Sequence, residues 1–188
     1  MNVHIPMPKT SNQKERIIKT ALKLFARNGY AATPISQIAA TAKVSQGLMY
    51  NFFESKEKLL IEIMKMGFRD IYASMVAYEK QTSPQEAIAQ HIKATIRIVQ
   101  QHHDIWKLLH TIRLQEKVAT TMKKHYRDTV AATTRVFARA FKALGHAQPE
   151  AEALLFLAQI DGLVVLYLQD PQTPIEELGD LLTKRYTK

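Results

Sequence analysis

The chain has 188 residues, of which 46% are hydrophobic and 23% are charged, and its formal net charge is +9. This length and composition indicate a soluble globular protein with a sizeable apolar core, and they exclude an intrinsically disordered chain. The sequence contains no cysteine, which excludes disulfides, thiolate zinc sites and a cysteine nucleophile and fits a reducing cytosol.

Apolar residues repeat with the helical period along the chain, and no strand-length alternation of β-branched residues is evident. The pattern therefore predicts an all-α protein of about nine helices. Residues 1–10 are polar and contain proline, and we expect them to form a flexible N-terminal arm. The predicted helices lie at residues 11–28, 34–41, 45–52, 55–81, 84–100, 104–114, 116–143, 150–169 and 174–186.

The segment 33–60 carries the most informative local pattern, two short helices joined by a tight turn. Thr33 and Ser45 can each cap one of these helices with a side-chain oxygen, and Pro34 suits a first helical position. An apolar stripe on the first helix faces a core and consists of Ile35, Ile38, Ala39 and Ala42. The arrangement is a helix-turn-helix, whose second helix can lie in the major groove of DNA.

A longer segment, residues 15–64, resembles the DNA-binding domain of the TetR/AcrR family of bacterial transcriptional regulators. The matching residues occur in the family's order and are Ala21-Leu22, Leu24-Phe25, Asn28-Gly29-Tyr30, Thr33, Ile38-Ala39, Val44-Ser45, Gly47, Tyr50, Phe53, Ser55-Lys56-Glu57 and Leu59-Leu60. Lys43 occupies a turn position that glycine often fills, so it is expected to adopt a positive φ at a cost of about 1 kcal/mol. Leu48 and Asn51 also depart from the family's frequent residues, which affects the bases that are read.

Positive charge is concentrated in the part of the chain that contains this motif. Residues 1–60 hold nine lysines and arginines against three glutamates, whereas residues 61–188 hold 17 basic against 14 acidic residues. Neutralisation of DNA phosphates requires such a concentration, although ordinary solvated lysines account for part of it. The resemblance implies a DNA-binding domain at residues 11–54 and an effector-binding and dimerisation domain at residues 55–188.

The predicted DNA contacts divide into phosphate contacts and base contacts. Phosphate contacts are expected from Tyr50, Lys56 and Thr33, while the amides of Gln46 and Asn51 are suited to adenine. The alternative is a structural role, with Tyr50 in the core and Lys56 as a solvated helix end. The full predicted set is Thr33, Gln37, Lys43, Ser45, Gln46, Gly47, Leu48, Tyr50, Asn51 and Lys56.

The resemblance also implies a small-molecule effector cavity in the second half of the chain. The candidate lining residues are mostly aromatic: Phe68, Tyr72, Trp106, Leu109, Tyr126, Phe137 and Phe156. Plain core packing is the alternative interpretation of such residues. Imidazoles at His102, His103 and His110 invite a metal interpretation, but no acidic cluster completes a site, and we expect neither a metal nor a cofactor.

The predicted helix at residues 150–169 is apolar on nearly all sides, so it must be covered from more than one direction. The resemblance implies that it pairs with the last helix in a two-fold, four-helix dimer interface. Asp161 lies in this apolar helix and is expected to be buried with a partner, either a ligand or a group across the dimer. The predicted interface residues are Leu155, Asp161, Gly162, Val165, Ile175, Leu178 and Leu182.

These observations favour a homodimeric repressor that a small-molecule effector releases from a palindromic operator. One alternative is an effector-independent architectural or regulatory protein that binds DNA. The other is a DNA-targeted enzyme, but the sequence contains no nucleophile elbow, zinc-protease helix, phosphate loop or dinucleotide glycine pattern. The longest apolar run, residues 153–168, is shorter than a bilayer span, which predicts a cytoplasmic protein without a membrane partner.

Overall fold

The computed structural model describes residues 9–66, 69, 83–113 and 120–187. These residues form helices, and no strand occurs among them, which confirms the predicted all-α fold. The helices are α1 Lys9–Asn28, α2 Ile35–Thr41, α3 Gln46–Phe52, α4 at residues 56–66, α5 Pro84–Gln101, α6 His103–Arg113, α7 Thr120–Ala143, α8 Pro149–Gln169 and α9 Ile175–Tyr186. Helix α1 begins two residues before the predicted start, and the later part of the predicted helix 55–81 lies outside the described residues.

Helices α1 to α4 enclose the N-terminal part of the core. The predicted stripe on α2 is buried at Ile38, Ala39 and Ala42, and it meets fully buried side chains from α1 and α4. Lys14 of α1 lies 3.8 Å from the carboxylate of Glu62 on α4, so the first and fourth helices are also joined at the surface. The helix-turn-helix is therefore held from both sides by longer helices.

Aromatic side chains dominate the core of the C-terminal helices. The Phe156 ring of α8 lies 4.8 Å from that of Phe137 and 5.8 Å from that of Phe141, both on α7. Tyr186 of α9 joins this cluster at 5.1 Å from Phe156. The Tyr186 hydroxyl accepts a hydrogen bond from Gln159 Nε2 at 2.8 Å, which satisfies a polar group within an apolar region.

Helix α6 connects the two halves of the molecule. It packs against α1 of the helix-turn-helix part and also against α5 and α8 of the C-terminal part. Its buried residues include Ile105, Trp106 and Ile112. A displacement of α6 relative to α8 would therefore act directly on the N-terminal helices.

Helix α8 leaves an apolar face uncovered by its own chain. Its mean hydropathy reaches 1.8, and by length and composition it could cross a membrane, yet only 28% of the window is buried. Leu155 is 56% exposed and Leu166 is 51% exposed, while Leu181 of the adjacent α9 is 61% exposed. These three leucines mark one surface, which we name the α8–α9 face.

Candidate functional site

The turn between α2 and α3 is a Schellman motif with lysine at its left-handed position. Lys43 has a φ of +53°, which confirms the expectation of positive φ. Its backbone N–H donates to Ala40 O at 3.1 Å, and the N–H of Val44 donates to Ala39 O at 3.0 Å. Both bonds satisfy carbonyls at the end of α2, so the turn sets the direction in which α3 leaves.

Helix α3 begins with the predicted serine cap. Ser45 Oγ accepts a hydrogen bond from the backbone N–H of Leu48 at 3.1 Å. Met49 is the buried residue of the helix, and the adjacent Phe53 closes its C-terminal end. The cap and the buried face together fix the rotation of α3 about its axis.

The opposite face of α3 presents most of the predicted DNA-binding residues to solvent. Gln46, Gly47 and Asn51 are exposed, and Tyr50 is 54% exposed, so it is not a core aromatic. Leu48 is half-buried. Gln37 on α2 and Lys43 in the turn are also exposed, which leaves both able to reach a nearby phosphate.

Thr33 does not take the predicted role. Its side chain is fully buried, and its hydroxyl donates to Gly29 O at 2.8 Å. Helix α2 has Pro34 at its N-cap, without a side-chain cap bond, so both the predicted threonine cap and the predicted phosphate contact are wrong. The reason is the left-handed turn at Gly29, whose φ of +84° brings a carbonyl beneath the threonine.

Lys56 has a role beyond the predicted phosphate contact. Its ammonium group donates to Ala31 O at 3.3 Å and lies 4.5 Å from the centroid of the Tyr30 ring. Partial burial lowers the pKa of Lys56. The lysine therefore ties the loop before α2 to the start of α4, and phosphate contact by its remaining N–H groups stays a prediction.

A second feature is a cavity of about 130 Å³ between α5, α6, α7 and α8. Two of the residues predicted to line an effector cavity, Trp106 and Tyr126, do line this one. The described residues that line the cavity are His91, Thr95, Trp106, His110, Tyr126, Thr129, Val130, Thr133, Leu157, Ile160, Asp161 and Val164.

Of the other predicted cavity residues, those in the described part of the chain lie elsewhere. Phe137 and Phe156 are fully buried in the aromatic cluster of the core and do not line this cavity, because they face each other across α7 and α8. Leu109 is buried in the core as well, and Phe68 and Tyr72 lie outside the described residues. The threonine pair Thr129 and Thr133, spaced four residues apart on an otherwise apolar face of α7, was a signal that the sequence reasoning missed.

An ion pair at the cavity gives Asp161 its partner. Arg113 of α6 donates two hydrogen bonds to the Asp161 carboxylate, each 2.9 Å long, and a third of 2.9 Å to the Tyr126 hydroxyl. The Asp161 side chain is 41% exposed, so the expectation of a buried carboxylate is wrong. The partner lies in the same chain, 48 residues away, rather than across a dimer.

Burial disfavours the protonated form of two histidines on the cavity wall. Burial lowers the pKa of His91 to about 4, and its ring lies 4.7 Å from that of Phe137. Burial is also the largest cause that lowers the pKa of His110, whose Nε2 lies 3.6 Å from Asp161 Oδ1. The hydrogen bond from Arg113 to Asp161 is the first cause that raises the pKa of the Arg113 guanidinium. No group of three or more potential metal ligands occurs in the described part of the chain.

Comparison with known proteins identifies the N-terminal helices. The sequence model of the family described as "Bacterial regulatory proteins, tetR family" matches residues 17–63. The HTH-type transcriptional regulator YerO of Bacillus subtilis (strain 168) is 36% identical over 104 residues, covering 54% of this chain and 36% of YerO. The N-terminal helices of this chain are therefore similar to those of TetR-family regulators. The family and the relatives matched here are transcriptional regulators, not enzymes.

The TetR-family fold extends over almost the whole chain. FadR from Bacillus subtilis, solved in complex with stearoyl-CoA, superposes with a TM-score of 0.76 at 17% identity, covering 90% of this chain and 95% of FadR. AibR, solved in complex with isovaleryl coenzyme A and operator DNA, superposes with a TM-score of 0.69 at 20% identity, covering 92% and 97%. At these identities the likeness shows the fold, whereas the matched segment of YerO spans only about a third of that relative.

The residues predicted for a TetR-type dimer interface fall into two groups. Leu155 and Gly162 are exposed and lie on the α8–α9 face, and Val165 and Leu178 are half-buried. Ile175 and Leu182 are 2% and 7% exposed and pack mainly within their own chain, and their predicted place in a dimer interface stays a prediction. Between α8 and α9 the face contains a groove of about 420 Å³, with Leu182 among its lining residues.

Proposed function

We propose that this chain is a transcriptional repressor that reads DNA with the exposed face of α3. The single observation that carries the proposal is the presentation of Gln46, Tyr50 and Asn51 on a helix whose rotation is fixed by the Ser45 cap. Amide side chains in a major groove can bond adenine with two hydrogen bonds, and a tyrosine hydroxyl can donate to a phosphate.

The proposed repressor acts in the cytoplasm as a homodimer joined through the α8–α9 face. Exposed Leu155, Leu166 and Leu181 form an apolar surface that a second copy would cover. Gly162 lies in the same face, and nothing lies within 4 Å of the Cβ position that it lacks, so a partner helix can approach closely there. A two-fold dimer would present two α3 helices to the half-sites of a palindrome.

The proposed effector site is the cavity between α5 and α8, and α6 is the proposed connection to DNA binding. Trp106 and His110 of α6 line the cavity, while α6 also packs on α1. A ligand that favours one position of α6 would change the separation of the two α3 helices, and it can do so only through its different affinity for the two states. Since FadR and AibR are solved with acyl-CoA molecules, acyl thioesters form one class of effector to test.

The experiment measures fluorescence anisotropy of labelled DNA from the promoter region next to the chain's own gene. Saturable binding that exceeds binding to scrambled DNA and weakens steeply with salt is the expected result. Asn51→Ala should reduce the preference for that DNA over scrambled DNA by roughly tenfold or more, because each good base contact contributes about 1–3 kcal/mol of discrimination. Gln101→Ala, an exposed amide at the end of α5, is the matched control and should leave binding unchanged.

Indifference of the purified chain to all duplex DNA at low salt would refute the proposal. The effector-independent alternative is separated from it by a second measurement on the same DNA complex. A small molecule that stabilises the protein and also releases the DNA supports the effector-controlled repressor. If ligands that occupy the cavity leave DNA binding unchanged, the protein is an effector-independent DNA-binding protein.

A further inference from the structure

The size of the cavity limits the part of a ligand that it can hold, if the proposed effector role is correct. Its volume is about 130 Å³, and most of the wall consists of apolar side-chain surface from residues such as Leu157, Ile160 and Val164. An engineered protein cavity of about 150 Å³ accommodates benzene. The described residues thus line space for one six-membered ring or a short branched chain.

The charged groups beside this space determine which polar group the ligand would carry. Arg113 and Asp161 are bonded to each other, while burial lowers the pKa of both His91 and His110 and so disfavours their charged forms. Among the described residues that line the cavity or bond to its wall, Arg113 carries the positive charge and Asp161 the negative charge. A charged ligand group that pairs with Arg113 or with Asp161 must therefore replace the other member of this pair.

Asp161 is the member that is easier to replace. Its side chain is 41% exposed, whereas that of Arg113 is 23% exposed. Arg113 also donates to the Tyr126 hydroxyl and lies 5.2 Å from the centroid of the Tyr126 ring, and neither contact depends on Asp161. Moving the aspartate into water would restore its hydration, but moving the guanidinium would break its contacts with Tyr126 as well.

We propose that the cavity binds a small monocarboxylate whose carboxylate takes the place of Asp161 on the Arg113 guanidinium. The two parallel N–H groups that now bond Asp161 match a carboxylate of the ligand equally well. The compact apolar body of the ligand would lie against the cavity wall beside Trp106. Displacement of Asp161 would release α8 from α6 at this point.

The experiment compares three probes of nearly equal shape and different charge: benzoate, benzamide and benzamidine. Their binding to the full-length protein is measured by isothermal titration calorimetry. The chain contains a single tryptophan, and Trp106 lines the cavity, so tryptophan fluorescence reports whether a probe binds there. The expected order of affinity is benzoate first, with at least a tenfold advantage over benzamide and no saturable binding of benzamidine.

Substitutions at the ion pair give effects of opposite sign. Asp161→Asn removes the competing carboxylate and should raise benzoate affinity by roughly tenfold, a gain that a misfolded protein cannot mimic. Arg113→Gln should abolish benzoate binding, and its circular dichroism and melting curve establish whether it is folded. Lys107→Gln removes a charge from the exposed side of α6 and serves as the matched control, with unchanged benzoate affinity.

Several outcomes would overturn the inference. These are tighter binding of benzamidine than benzoate, equal binding of all three probes, no saturable benzoate binding at millimolar concentration, or isovaleryl-CoA binding that is tighter than benzoate binding and indifferent to Arg113→Gln. DNA binding measured without ligand on the same preparation separates this inference from the proposed function. If DNA binds and benzoate does not, only the ligand class is wrong, whereas loss of DNA binding contradicts the repressor itself.

Discussion

Replacing Lys43 by glycine should make the protein more stable and at the same time weaken its binding to DNA. Among the described residues, three have positive φ, and the other two are Gly29 and Gly145. An L-residue in the left-handed region costs about 1–2 kcal/mol, and part of this is offset because glycine has more conformational freedom in the unfolded chain. We therefore expect Lys43→Gly to raise the free energy of unfolding by about 1 kcal/mol.

The stability arm of this prediction has a matched control within the chain. Helix α7 ends in the same Schellman motif, with Gly145 N–H donating to Lys142 O at 3.1 Å and His146 N–H donating to Phe141 O at 3.0 Å. Nothing lies within 4 Å of a Cβ built on Gly145, so Gly145→Lys tests the backbone conformation without a steric clash. It should lower stability by about as much as Lys43→Gly raises it, about 1 kcal/mol.

The DNA arm of the prediction depends on the exposed ammonium group of Lys43. If that group contacts a phosphate, Lys43→Gly should make the slope of log affinity against log salt concentration shallower by about 1 per subunit, the amount expected for one lost phosphate contact. Urea unfolding at fixed protein concentration and DNA anisotropy at several salt concentrations are the two assays. A less stable Lys43→Gly protein would refute the strain argument, and an unchanged salt slope would refute the phosphate contact.

Three further predictions concern other parts of the molecule. Tyr50→Phe should weaken promoter-DNA binding roughly tenfold with an unchanged melting curve, because Tyr50 is 54% exposed; equal affinities would refute the phosphate contact. His91 has a folded pKa of about 4 against 6.5 in its unperturbed state, so the unfolded chain takes up the proton first as pH falls. Because of His91, the free energy of unfolding should fall by about 2 kcal/mol as the pH falls from 7 to 5. In urea unfolding, the stability of His91→Gln should depend less on pH than that of the wild type, and an equal pH dependence would contradict this. Leu166→Glu should give monomers in light scattering if the α8–α9 face joins two copies, and a persistent dimer would exclude that face.

Local features of the fold were predictable because short-range geometry determines them. Ser45 caps α3 because its side chain reaches an N–H three residues ahead, and Lys43 adopts positive φ because the turn between two adjacent helices demands it. Thr33 has the same capping chemistry as Ser45, yet it fails to cap. Thr33 is buried because the turn after α1 folds back over it. The preference of threonine for helix caps says nothing about that turn, so the burial could not be predicted from residue 33 alone.

The cavity was less predictable because its residues come from four helices. Trp106 and Phe137 are both aromatic residues on amphipathic helices, so the sequence does not distinguish their roles. Trp106 lines the cavity, whereas Phe137 is fully buried in the core. The difference depends on how α6 and α7 are rotated about their axes. Asp161 was correctly expected to need a partner, and that partner could not be named because Arg113 lies 48 residues earlier.

The position of α6 explains how one ion pair could control DNA binding at a distance. Schellman hydrogen bonds hold the α2–α3 turn, and the contact between Lys56 and the Tyr30 ring holds the start of α4 against the loop before α2. We therefore expect the helix-turn-helix to move as a rigid unit. Helix α6 touches this unit through α1 and carries Arg113. A ligand that replaces Asp161 on Arg113 needs no deformation of α3, since a change in the position of α1 moves α3 with it. Allosteric couplings of about 1–3 kcal/mol change affinity roughly 5-fold to 150-fold. Because the Asp161 side chain is 41% exposed, solvent screening places the loss of this pair at the lower end of that range. DNA anisotropy with Arg113→Gln in the absence of ligand should therefore show weaker binding than wild type, and undiminished affinity would show that the pair does not control α6.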